Sequence, residues 1–163
     1  MSERIEPAAG QESVWDYPRP PRVERTDRHI VVRMGDVAIA DTRQAFRLLE
    51  KTHPPTYFIP PHHVRLEVLT LNPLRTEREY LGTASYYDLS FDGRTVKSIA
   101  CVFTDPAPGF EAIRGHIAFH AARVDEAFVD GARATPQPGS FYWGWVTKDV
   151  AGPFKGEPGS FSW

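Results

Sequence analysis

Residues Tyr80 to Phe103 read YLGTASYYDLSFDGRTVKSIACVF, two apolar-alternating runs that meet at Asp92-Gly93. That dipeptide tolerates the positive φ angles of a type I′ turn, so the stretch reads as a two-residue β-hairpin. Placing Phe91 opposite Arg94 sets the register. Leu89 then faces Val96, Asp88 faces Lys97 as an opposite-charge pair, Tyr87 faces Ser98 and Tyr86 faces Ile99. One side of the ribbon carries Tyr87, Leu89 and Val96, and the other carries Tyr86, Ile99 and Cys101. The Leu89–Val96 pair marks the first as the core side and leaves the second as the candidate wall of a cleft.

Upstream, His29 to Thr42 reads HIVVRMGDVAIADT, two short strands around a Gly35-Asp36 turn. Pairing Met34 with Val37 puts Ile30, Val32, Val37 and Ile39 on one face. Asp41 or Thr42 is placed to cap a predicted short helix over RQAFRLLEK (Arg43 to Lys51), with Ala45, Leu48 and Leu49 on one side. Pro54 and Pro55 stop it. Thr56 to Ile59 reads as a strand closed by Pro60-Pro61, and Val64 to Leu71 (VRLEVLTL) as another by its alternation. Asn72 to Glu79 reads as a polar connection into the hairpin. Downstream, TDPAPGFEAIRG is a proline-rich connection and GHIAFHA a last compact strand. Seven or eight strands, one or two short helices and no βαβ alternation predict a mainly β, antiparallel fold, either two-sheet or barrel-like.

A chain of 163 residues with 41% hydrophobic and 12% aromatic content suits one globular domain. The formal net charge of −2 comes without a basic block, which argues against nucleic acid as a partner. No apolar run reaches the roughly 18 residues of a membrane span, and Met1 to Gly10 lacks a signal peptide's apolar core, so the expected setting is cytoplasmic. Cys101 is the single cysteine, which excludes an intrachain disulfide and a zinc site of several thiolates. The histidines, with His62-His63 in a proline-flanked loop and His116 and His120 around a strand, lack ligand spacing. No metal and no cofactor is expected.

The ends differ from the middle. Residues 1–21 read as an extended arm with isolated Trp15 and Tyr17, either docked or disordered. Residues 22–133 form the body. Residues 134–163 pack aromatics between glycines and prolines (GSFYWGW, GPFKG, PGSFSW), with three of the four tryptophans, a tail suited to wrapping the body or a partner subunit.

Several stretches in order resemble one family: VAIADTR from Val37, TYFIP from Thr56, VRLEVL from Val64, YLGTASYY from Tyr80, DPAP from Asp105, IRGHIAF from Ile113 and Val124-Asp125. The closing GWV, VAGPFKG and PGSFSW are similar to tails of actinobacterial members. The family is that of domain of unknown function 427, small bacterial and fungal proteins sometimes labelled as nucleotidyltransferases. The resemblance implies a β-tent, two antiparallel sheets joined at one edge and splayed at the other around a pocket. Relatives of that architecture often hold zinc through two cysteine pairs, which a single cysteine cannot reproduce. The family's usual Cys-Pro-Tyr-Lys-Gly is here Arg78 to Gly82, and Cys101 stands where an aromatic, commonly Trp, is usual. No mechanism that needs the motif's thiol or lysine transfers.

The candidate ligand-binding residues are Arg43, Tyr57, Arg65, Tyr80, Tyr86, Cys101 and His116. The arginines match family positions and suit a carboxylate or phosphate, or else pair with Glu50, Glu67 or Asp41. The tyrosines suit a partly wet pocket or a sheet surface. His116 is the candidate acid or base, against the alternative of a histidine bonded to a loop carbonyl at a strand start. Cys101 reads as a small buried residue more than a nucleophile. The absence of a GxxxxGK[ST] loop and of a D-x-D carboxylate pair argues against nucleotidyl transfer. The expectations are therefore a domain binding a small organic ligand in a Tyr-lined cleft; alternatively a metal-independent enzyme using His116, or a nucleotidyltransferase as the family label suggests; or a homodimer held by aromatic arms.

Overall fold

The computed structural model describes residues 4–163, so the first three residues of the predicted arm lie outside it. Its strands in chain order begin with β1 (Glu12–Ser13), β2 (Arg22–Arg25), β3 (Ile30–Met34), β4 (Val37–Thr42), β5 (Phe46–Leu49) and β6 (Thr56–Phe58). They continue with β7 (Leu69–Arg78), β8 (Gly82–Phe91), β9 (Arg94–Val102), β10 (Ile117–Phe119) and β11 (Glu126–Val129). The short pieces β12 (Ala132–Arg133), β13 (Thr135–Pro136), β14 (Trp145–Val146) and β15 (Val150–Ala151) complete the chain. Among the described residues the only helices are three-residue 3-10 turns. The fold is mainly β, as the turn and alternation signals predict.

Two four-stranded antiparallel sheets, ordered β10-β9-β8-β7 and β12-β11-β3-β4, enclose the main core. Ile30, Val32, Met34 and Ile39 from one meet Leu89, Ile99, Ala100 and Val102 from the other. A three-stranded sheet, β2-β5-β6, joins the first of these where Ile59 and Ile117 exchange two backbone hydrogen bonds, 2.8 Å each. It contributes Leu48 and Phe58 to a second core on the reverse face of β8, β9 and β10, with Tyr86, Cys101, Phe103, Ala118 and Trp143. Strand β9 is thus buried on both faces at its end, which is why Ile99 to Phe103 is a continuous apolar run. This layering does not contradict the tent-like pair of sheets.

Four local readings are corrected. The predicted helix after Thr42 is strand β5: Leu48 enters the second core while Leu49 packs with Val14, Tyr17 and Val150 on the opposite face. Two covered faces produce an apolar pair that imitates helical spacing. The Val64–Leu71 strand is broken, because Val64 makes only a single bridge to Ala40 and Leu66–Val68 turns as a 3-10 segment before β7 begins. The polar stretch Asn72–Glu79 is largely β7 itself, an edge strand whose residues are mostly exposed. GHIAFHA is not the last strand, since β11 and β12 follow it and β11 is central to its sheet.

The hairpin register also changes. Phe91↔Arg94 and Leu89↔Val96 are paired as expected around an Asp92-Gly93 turn with φ of 52° and 74°. Beyond them Tyr87 faces Ala100 and Tyr86 faces Cys101, so Lys97, Ser98 and Ile99 together oppose Asp88. Ser98 takes a left-handed φ of 49°. The Asp88 carboxylate holds this bulge, accepting from the Ser98 backbone N–H and the Asn72 side-chain amide at 2.8 Å each and from Lys97 Nζ at 3.3 Å. Ile99 therefore turns into the main core, while Tyr86 and Cys101 keep the other face. A matching irregularity in β7 sets Asn72, Pro73 and Leu74 against Tyr86.

Both arms fold onto the body. Ser13 and Ala151 lie in a two-residue parallel ladder, β1 with β15. The Trp15 indole donates to the Pro153 carbonyl at 2.9 Å and meets the Trp163 ring at 5.0 Å. Trp145 is fully buried, with its indole N–H on the Phe119 carbonyl at 3.0 Å and its ring 5.1 Å from Tyr57.

Candidate functional site

Three elements leave a cleft of about 670 Å³ over the second core: the reverse face of β7 and β8, the Glu50–Thr56 loop, and tail residues 137–144. That size is ordinary for a small-molecule site. Its aromatic floor is Tyr86 and Trp143, ring centroids 5.8 Å apart, both largely buried. The Tyr86 hydroxyl shares a 2.6 Å hydrogen bond with Thr76 Oγ1, which fixes the ring from the edge strand. Leu74 and Phe141, both exposed, stand on the rim.

The β8–β9 bulge places a cation beside this floor. The Ser98 carbonyl accepts from the Arg123 guanidinium at 2.7 Å, and the same guanidinium lies over the Trp143 ring at 5.6 Å. Arg78, at the end of β7, also lines the cleft. Among the described residues neither Arg78 nor Arg123 has a carboxylate within ion-pair distance, whereas eight other arginines do. The cleft's acidic groups are Glu50, whose pKa burial raises, and Glu77, which accepts from the Thr83 hydroxyl.

Two histidines brace the tail wall, each in a defined tautomer. The Ala122 N–H donates to His120 Nδ1 at 3.1 Å, so Nε2 carries the proton and donates to the Ser140 carbonyl at 3.1 Å. Its ring stands edge-on to Trp143 at 4.8 Å. Gln137 Oε1 accepts from the Gly144 N–H, so its amide nitrogen donates to His53 Nδ1 and to the Lys155 carbonyl. Burial first, with nearby Lys155 and Arg19 adding to it, pushes His53 down to about 4. Burial and Arg123 push His120 down to about 4 as well. Both are neutral hydrogen-bonding struts at neutral pH.

Of the residues singled out in the sequence, Tyr86 alone lines this cleft. Cys101 lies beneath it, 1% exposed, its thiol pushed up to about 11 by burial against a smaller opposing effect of Arg78. Tyr57 is in the main core against Trp145. Tyr80 occupies the β7–β8 turn at a φ of 72° and packs on the second core. Arg65 pairs with Glu67 at 2.7 Å and lies over Phe91, and Arg43 is exposed at the turn after β4. His116 Nδ1 bonds the Arg114 carbonyl at 3.1 Å beside Phe46, a loop tie at a strand start. Sequence reasoning missed Arg78, Arg123, His53 and Gln137 as cleft residues. Trp143 was visible only as one aromatic in the tail, and Arg78 only as a departure from the family motif. Among the described residues no three His, Cys, Asp or Glu side chains converge as a metal set would, and no helix is long and apolar enough to cross a membrane.

The profile of the family described as domain of unknown function (DUF427) matches residues 22–130, about two thirds of the chain. The chain belongs to that family. No curated protein matches it significantly. The DUF427 segment holds the sheet side of the cleft, including Tyr86, Arg78 and Arg123, while the wall formed by Gln137 to Gly144 lies beyond the matched range. Arg78 and Cys101 are neighbours here, the guanidinium close enough to affect the thiol.

Proposed function

We propose that this DUF427 protein is a cytoplasmic small-molecule-binding domain whose ligand occupies the cleft over Tyr86 and Trp143. The carrying observation is a cavity of about 670 Å³ that joins an aromatic floor to two guanidiniums that have no carboxylate partner among the described residues. Binding sites pair an apolar lining with a few placed polar groups in this way. The tyrosines of the cleft are Tyr86 and Tyr142, whereas Tyr57 belongs to the main core and Tyr80 to the β7–β8 turn. The cleft histidines support binding over proton transfer, because groups held near 4 are poorly matched to acid–base work at neutral pH.

Mass spectrometry of the natively purified chain, beside a Leu74→Trp variant that crowds the rim, tests the reading. A small molecule released from the unaltered chain and depleted in the variant is the expected result. Equal recovery from both, with no member of a broad compound panel raising Tm in a Leu74-dependent way, would overturn it.

A further inference from the structure

We infer that the ligand class is a small organic monoanion with a flat apolar body, an aromatic carboxylate, held by Arg78 and Arg123 with its ring against Tyr86 and Trp143. The inference rests on the cleft being a binding site and adds the chemistry of its occupant.

The charge argument comes first. Lys97 reaches the cleft rim, but it is 80% exposed and engaged with Asp88. Arg78 and Arg123 are the cationic lining groups that lack a carboxylate partner among the described residues, and Glu50 and Glu77 are the acidic ones. A carboxylate is matched geometrically by a guanidinium fork, which offers two parallel N–H donors. Arg123 spends one donor on the Ser98 carbonyl, and stacking on Trp143 fixes its plane. It is therefore oriented before any ligand arrives, which lowers the entropy cost of binding. A polyphosphate fits less well. The cleft offers no glycine-rich run of backbone N–H groups, and the two glutamates would repel its extra charges.

The shape argument follows from the floor. Tyr86 and Trp143 pack on each other with ring centroids 5.8 Å apart and keep only narrow edges, 6% and 7% exposed, at the cleft floor, while Leu74 and Phe141 add apolar cover at the mouth. Phe141 is 79% exposed, a high value for a phenylalanine at the edge of a cavity. Its ring is available to cover a flat ligand, as aromatic rings do in offset or edge-to-face contact. The neutral histidines and Gln137 leave the tail wall uncharged, so the anion's affinity falls to the arginine side.

The test uses the full chain and matched pairs: benzoate with benzamide, 1-naphthoate with 1-naphthamide, indole-3-carboxylate with its amide. Binding is followed by the indole N–H resonance of Trp143. The expected result is that the carboxylates bind at least tenfold more tightly than the amides, and that Arg78→Gln and Arg123→Gln each abolish this preference while amide binding persists. The carboxylate-to-amide ratio of the unaltered chain stands alone should either variant fail to fold. Equal binding of acids and amides would sink the anion class and leave the cleft as a site. No response at Trp143 from any pair would sink both.

Discussion

At the scale of single residues, His53 and His120 make the wall of the cleft sensitive to acid. Both rings are neutral when folded, with pKa values pushed down to about 4 from the usual 6.5, chiefly by burial. Between those values the unfolded chain binds protons that the folded chain does not, so stability is full above pH 6.5 and falls as pH drops toward 4. For His53 the loss is on the order of 3 kcal/mol. Urea midpoints measured at pH 7, 5.5 and 4 should decline accordingly, and His53→Gln should flatten the decline. A midpoint constant over that range would show that the rings are protonated in the folded chain. These histidines were not legible as a pair in the sequence, because nothing in the spacing of His53 and His120 brings them to one wall. What joins them is the tail, through Gln137 and Ser140.

At the scale of elements, the β8–β9 hairpin is where the site is made. Its turn and its first pairs follow from the Asp92-Gly93 dipeptide alone. Its register past Asp88 does not, because the bulge depends on an amide from β7, Asn72, that no local pattern announces. Regular alternation would have sent Ile99 to the cleft face; the bulge sends it to the main core. The same device aims the Ser98 carbonyl at Arg123. Asp88→Ala is therefore expected to cost about 1 kcal/mol, the usual net worth of part-buried hydrogen bonds, and to weaken ligand binding at a residue that does not line the cleft. Chemical denaturation and a ligand titration on the same variant check both effects. Unchanged affinity with lowered stability would uncouple the bulge from the site. Strand β5 teaches a related lesson: a short strand covered on both faces has no alternation to read, so Leu48 and Leu49 mimic a helix.

At the scale of the whole molecule, the tail is part of the fold. Trp145 is fully buried and tied by its backbone N–H to the Pro55 carbonyl at 2.8 Å and by its indole to Phe119. Trp145→Ala should cost about 3–5 kcal/mol, as large aromatic truncations do in cores. Phe161→Ala, at a side chain 95% exposed, should leave Tm within error. Thermal unfolding of the two variants side by side checks this, and a mild effect at Trp145 would mean that the tail packs loosely. The mainly β class and the family were readable from turns, prolines and ordered motifs. The path of the tail was not, since aromatics between glycines carry no period, and their partners are set only when the two cores exist. Trp15, Trp143, Trp145 and Trp163 all find partners within the chain.

For redesign, the cleft divides into a part that can be rewritten and a part that cannot. The sheet side carries the arginines, while residues 137–144 set how much room is left above them. Ser140 and Phe141 are exposed and open to exchange. Gly144 is not: an added Cβ would come within 2.6 Å of both Gln137 Oε1 and the Pro54 carbonyl oxygen. A library that varies Ser140 and Phe141 while keeping Gly144 and Gln137 would alter the cavity's roof without disturbing the bulge that holds Arg123, so the two sides of the cleft can be varied independently.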